Sequence, residues 1–315
     1  MTWPRLDYAA ERPTIEAAHM VLQLIGKLPT RLHPWINHGW HVAMRVTARG
    51  FASRLLPAGD GRHFAVEVDM LDACLTLQCD DGGRWQLPIA GKTIAALHGE
   101  LTALLERHGF PAPLQGGPNE VPDRVTFAED DAPREWDADA ARRLHGAFAS
   151  ADRVFTAFRS LYLGKTSPSH LFWGSFDLAV TRFSGRRAPP HPGGFPNLPN
   201  AVTREAYSHE VVSAGFWPGG NGLEEAAFYA YAYPSPDGLG EQAVRPDTAY
   251  WHTDLGEFVV TYADIAAAAD PDAALMAFLQ STYDAAAALM DWPLDLALAQ
   301  PSYGSPAQSP PTPSQ

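Results

Sequence analysis

The densest run of chemically capable side chains is Ser167-Pro168-Ser169-His170-Leu171-Phe172-Trp173-Gly174-Ser175-Phe176-Asp177. It leads into an alternating stretch whose apolar face is Phe176, Leu178 and Val180. Asp177 therefore falls on the other face, with Ala179, Thr181 and Phe183. An ionised carboxylate there is costly unless it is paired or hydrated. A second alternating stretch, His41 to Thr47, offers His41 at the position that matches Asp177 if the chain repeats itself. A His–Asp pair facing one cleft would suit acid/base or metal chemistry. The competing reading is a structural hydrogen bond between two halves. His209 and Glu210 add two titratable groups in a further strand. They point to opposite faces, so at most one lines a given pocket. His170, Asp177 and His209 have the types of a two-His, one-carboxylate metal triad, but their spacing does not demand one and no metal site is assigned.

Other residues suit ligand contact. His19, Gln23 and Lys27 fall at i, i+4 and i+8, which makes one polar stripe on a helix. Trp173, Phe216, Trp217 and Tyr231 belong to an aromatic group that also includes Phe172, Tyr229 and Tyr233. Trp217-Pro218-Gly219-Gly220-Asn221-Gly222 reads as an aromatic-walled loop with a flexible lid. Core packing is the competing reading for the aromatics, and a solvated face for the stripe. Gly26-Lys27 and Gly164-Lys165-Thr166 resemble a phosphate loop only at its tail and read as helix stops. No Gly-x-Ser-x-Gly elbow is present. The sequence names no cofactor.

Helices are expected over residues 14–27, 92–108 and 139–163, with a last one capped by Asp270 and opened by Pro271. Strands are expected over 41–47, 64–70, 74–79, 84–88, 176–183, 208–214, 226–233 and 257–262. Asp80-Asp81-Gly82-Gly83 is a hairpin turn. Residues 111–136 form a Pro/Gly/acid-rich linker between a first half, 1–110, and a second, 137–299. Residues 300–315 have the composition of a disordered tail. Helix, Gly-Lys, strands and a closing helix occur twice. The expected fold is α+β: two pseudo-repeated halves, each an antiparallel sheet with flanking helices, with a cleft between them.

Composition narrows the function. The 315 residues carry 23 Lys+Arg against 36 Asp+Glu, a net charge of -13, which argues against nucleic-acid binding and anionic membranes. No apolar run approaches the ~18 residues of a membrane helix, and the N-terminus does not read as a secretory signal. The two cysteines, Cys74 and Cys79, fit reduced buried thiols, and the expected location is the cytoplasm.

Three stretches carry a resemblance: PWINHGWHVAMRVTARGF, SHLFWGSFDLAVTRFSGRRAPP and SHEVVSAGFWPGG, supported by YAYAYP and FLQSTYDAAA. They resemble the bacterial domain-of-unknown-function family 5996 over roughly residues 3 to 298. The resemblance implies a soluble bacterial protein and no particular activity. The leading expectation is a small-molecule enzyme with a His/carboxylate cleft. The alternatives are a non-catalytic small-molecule binding protein and a protein-interaction module. The expected partner is a small-molecule ligand; the sequence sets no oligomeric state.

Overall fold

The computed structural model describes residues 3–121, 124–194, 198–220 and 223–296. The tail at 300–315 and two residues of the glycine loop, Asn221 and Gly222, lie outside them.

The first half opens with helix α1 (Tyr8–Leu32). It is longer at both ends than periodicity indicates. Asp7, not Thr14, is its N-cap and accepts from Ala10 N. The Thr14 hydroxyl instead accepts from Asp137 N, tying α1 to the start of a later helix. Pro13 and Pro29 lie inside α1, although each removes a helical donor. Almost every residue from Ala17 to Pro29 is buried, so packing outweighs the lost hydrogen bonds. Gly26 is not a helix stop either. The Trp173 ring lies where a Cβ at Gly26 would stand.

Strands β1 (Arg45–Val46), β2 (Gly50–Ala52), β3 (Leu56–Pro57), β4 (His63–Asp69), β5 (Cys74–Cys79) and β6 (Arg84–Pro88) follow, then α2 (Ile94–Arg107). They form an antiparallel sheet in the order β1-β2-β4-β5-β6, with β3 also paired to β4. The strand expected over 41–47 shrinks to Arg45–Val46. A tight turn at Asn37–Gly39, with His38 and Gly39 both at positive φ, leaves His41 in a turn. Cys74 and Cys79 are free and buried at opposite ends of β5.

The second half comprises α3 (Ala138–Ser160), β7 (His170–Phe172), β8 (Asp177–Arg187), α4 (Asn200–Ala206), β9 (His209–Trp217), β10 (Ala227–Tyr233), β11 (Tyr250–His252), β12 (Glu257–Thr261), α5 (Tyr262–Ala267) and α6 (Pro271–Leu289). Its antiparallel sheet runs β7-β8-β9-β10-β12-β11. The fold is therefore α+β with two sheets. They meet edge to edge, where Met44 and Leu171 exchange backbone hydrogen bonds of 2.9 and 2.8 Å. That contact covers two strand edges that would otherwise stay open.

One apolar core runs through both halves. On the helix-covered side of the second sheet, Phe216 and Phe228 pack against Phe148 and Phe155. The Pro/Gly-rich segment is not a loose connection, because Leu114 and Phe127 are fully buried. Two correspondences behind the repeat reading fail in three dimensions. Gly26-Lys27 is inside a helix while Gly164-Lys165 follows one, and His41 is in a turn while Asp177 begins a strand.

Candidate functional site

The opposite face of the second sheet is polar and aromatic. Alternation and register put Asp177 and Thr181 of β8, Ser213 and Trp217 of β9, Tyr229 and Tyr231 of β10 and Glu257 of β12 on it together. Gly215 makes the central contact feasible. It lies opposite Tyr229, and a Cβ there would collide with the ring. Without one, Tyr229 leans across β9 and its hydroxyl donates to Asp177 Oδ2. Ser175 donates to the other carboxylate oxygen. Thr181 and Ser213 share a hydrogen bond of 2.8 Å, and Tyr207, at the end of α4, shares one of 2.7 Å with Tyr231.

A third carboxyl arrives from the Pro/Gly-rich segment. Asn119 N donates to Gln23 Oε1 (2.9 Å), and Gln23 Nε2 donates to Asn119 O (2.8 Å). The Gln23 amide thus grips a peptide as a neighbouring strand would. Lys27 Nζ donates to Asn119 Oδ1 at 2.7 Å. The next residue, Glu120, has φ +58, and its carboxyl lies against Gly174, where a Cβ would strike it. Gln23 Nε2 also reaches Gly174 O (2.9 Å), and His19 Nε2 contacts Trp173 O and Gly174 O at 3.0 and 3.1 Å. Burial pulls the His19 pKa down to about 4, which keeps it neutral. The stripe therefore holds two segments, one bearing Glu120 and the other leading to Asp177: His19 and Gln23 at the backbone, Lys27 at the Asn119 side chain.

Electrostatics sets this face apart. Burial, reinforced by the Asp177 charge, pushes Glu120 up to about 7 and Glu257 up to about 8. Asp177 is itself raised by burial, against the opposing pull of Ser175 and Tyr229. Burial pushes Tyr207 up to about 12 against the opposing hydrogen bond with Tyr231, and burial raises Tyr229 and Tyr231 as well, reinforced by Asp177 at Tyr229 and by Tyr207 at Tyr231. None of the three carboxyls is in an ion pair among the described residues. Asp177, Thr181, Ser213 and Tyr229 form a buried floor, while Glu120, Tyr207, Trp217, Tyr231 and Glu257 form a half-buried rim. Oε2 of Glu257 and Nε1 of Trp217 are buried atoms without a partner.

The sequence-derived candidates divide. Asp177, Trp217 and Tyr231 come together here. His170 shares the face, roughly 8 Å from Asp177 by strand geometry, and its ring meets Phe172 and Trp40. Burial holds His170 down to about 3, with His38 adding to the effect. His41 does not face Asp177. Its Nδ1 accepts from Ile36 N at 3.3 Å and its ring meets Trp35. His209 pairs in register with Arg187, four residues and about 13 Å along β9 from Ser213. Glu210, on the other face, is bound by Arg186 and Ser184. Phe216 is in the helix-side core, so it cannot line this face. Trp173 is buried against Gly26, with Nε1 donating to Val42 O at 3.1 Å. No three His, Cys, Asp or Glu among the described residues are arranged to hold a metal ion, so His170, Asp177 and His209 do not converge as a triad.

Glu120, Tyr207 and Glu257 are the residues that sequence reading missed. Glu257 had a signal, since alternation in 257–262 puts it on one face with Val259. Glu120 had none, because an acidic residue in a Pro/Gly-rich stretch reads as solvated.

An α+β body of two edge-joined antiparallel sheets, with a carboxyl–tyrosine face on the second, defines the class of protein. The chain belongs to DUF5996, a family of unknown function whose model matches residues 3–298. No curated protein and no solved structure matches it. No helix among the described residues is long and apolar enough to cross a membrane.

Proposed function

We propose that the protein is an enzyme acting on a polar small molecule, with the β8–β9–β10–β12 face as its site and carboxyls as its acid/base groups. The observation that carries this is the pair Glu120 and Glu257, raised to about 7 and about 8 beside a buried Asp177. General acid/base catalysis is most efficient when the group's pKa lies near the working pH. Groups shifted by burial and by one another in a recess are the usual mark of such a site. Asp177, oriented by Ser175 and Tyr229, is the inner group; Glu120 and Glu257 are the two that exchange protons with a bound molecule. His41, His209 and Glu210 have no part in this reading.

The test is a carbon-13 NMR titration of the Asp and Glu carboxyls in the intact chain. At least two carboxyls titrating between pH 6 and 8.5, one of them lost in Glu257→Gln, supports the reading. Titration of every carboxyl below pH 5.5 overturns it. The second reading is non-catalytic binding. The Trp217–Tyr229 ring contact (centroids 4.4 Å) and the stacked Tyr229–Tyr231 pair (6.1 Å) favour it, since they form an aromatic wall independent of proton transfer.

A further inference from the structure

We propose that the chain associates head to tail with a second copy of itself: the loop tip beyond the C-terminal end of α1 in one copy docks in the recess at the N-terminal end of α1 in the next. Both surfaces are separate from the carboxyl–tyrosine face, and the inference does not rest on the reading above. Helix α1 has 25 residues, which sets its two ends roughly 37 Å apart.

The tip is apolar and basic. Eight large apolar side chains are exposed among the described residues, and Trp35, Ile36, Leu55 and Val125 are half of them. They stand on three connecting segments: the turn after α1, the link between β2 and β3, and the Pro/Gly-rich segment. The His41 ring meets Trp35 at 4.8 Å, and its Nδ1 accepts from Ile36 N. Burial lowers His33, with Arg54 and then His41 adding to the effect, so Arg54 and Leu55 adjoin this turn. Burial pulls Lys27 down to about 8, with Arg124 and Arg31 adding, so Arg124 and Val125 lie beside the last turns of α1. None of Lys27, Arg31, Arg54 and Arg124 has an ion-pair partner among the described residues. Glu205 of α4 accepts from Trp35 Nε1 and holds the indole in place, yet Trp35 stays 53% exposed. Single exposed apolar residues are ordinary; several gathered in one place mark an interaction surface.

The recess has the complementary character. Its volume is about 500 Å³, and Trp3, Leu6, Tyr8 and Tyr262 make an apolar floor. Ala263 and Ala267 of α5 are small and exposed, which leaves the mouth open. Asp7, Glu224 and Glu225 stand on the rim. Arg5 approaches Asp7 only to 3.9 Å and Arg12 approaches Glu224 only to 3.6 Å, with all four side chains exposed. Such pairs are weak and give way easily to a partner's cations.

Charge selects the arrangement. Tip against tip would set cations face to face, and recess against recess would do the same with carboxylates. Tip in recess joins guanidinium groups to carboxylates and covers apolar surface on both copies. The net charge of -13 repels copies at long range, but that repulsion is screened beyond ~8 Å at physiological salt. The contact is heterologous, so copies close into a ring or continue as a chain.

The experiment is sedimentation-velocity ultracentrifugation of the full chain from about 1 to about 300 µM. The wild type should exceed its monomer mass of 34.2 kDa, increasingly so as concentration rises. Two double variants each spoil one surface: Trp35→Asp with Leu55→Asp at the tip, and Glu224→Lys with Glu225→Lys at the recess. Each alone should sediment as a monomer. Their equimolar mixture should recover a dimer and nothing larger, because each pair then holds one intact tip and one intact recess. Circular dichroism checks that each variant is folded; should the Trp35 variant fail, Arg54→Glu with Leu55→Asp serves for the tip. A wild type at monomer mass at every concentration overturns the proposal and leaves the two surfaces to other partners. An oligomer that either variant retains also overturns it. So does the loss of association in both variants without recovery on mixing, which would mean a symmetric interface.

Discussion

Replacing Glu257 by glutamine should stabilise the protein, and more so as pH rises. The carboxyl ionises near pH 8 in the folded chain against an ordinary value of 4.5. The folded state thus keeps a proton that the unfolded chain has already released. Stability from this group is fully present below pH 4.5 and is lost as pH rises through about 8. At about 1.36 kcal/mol per unit, the loss is bounded at about 5 kcal/mol. Rim exposure and relaxation of neighbours reduce that figure, and about 2–4 kcal/mol is expected between pH 5 and pH 9. Glu257→Gln keeps the shape and removes the ionisation. Urea unfolding followed by tryptophan fluorescence at pH 5, 7 and 9 gives the comparison. The wild type should fall relative to the variant by that amount, most steeply between about pH 5 and 7 and levelling off above about pH 8. A wild-type-minus-variant difference that stays constant within about 0.5 kcal/mol across the range would refute the reasoning, because Glu257 would then be hydrated and ordinary.

Three other outcomes follow from the packing. Gly26→Ala, usually favourable inside a helix, should destabilise by about 1–3 kcal/mol, because the Trp173 ring occupies the Cβ position; thermal unfolding checks it. Gln23→Leu should cost about 2–4 kcal/mol by orphaning the Asn119 N–H and the Asn119 carbonyl, and hydrogen exchange should show lost protection at the Asn119 amide. Asp270→Ala removes the side-chain acceptor for Ala273 N at the start of α6 and should lower stability by about 1 kcal/mol in chemical denaturation.

Much of the fold was legible locally. Strands 74–79 and 84–88 and the turn between them were readable because alternation and Asp-Gly chemistry act over a few residues. The face of Asp177 was readable for the same reason, and so was the Asp270–Pro271 helix start. The length of α1 was not, because Pro13 and Pro29 oppose a helix locally and only burial along the whole element overrides them. The polar stripe His19, Gln23 and Lys27 was visible, but its partners lie 92 to 155 residues away, so its role as a clamp on the backbone was not.

The sequence by itself determined which residues share a strand face or a helix stripe, since side-chain periodicity is fixed by backbone geometry. It also determined the α+β class and the acidic balance. Only the tertiary structure decided which faces meet. It turned His41 away, paired Glu210 with Arg186, buried Phe216 in the core, and delivered Glu120 from a stretch that carries no local pattern. Burial made two ordinary glutamates into groups that titrate near neutrality, and burial is a property of what packs around a residue, not of the residue or its sequence neighbours.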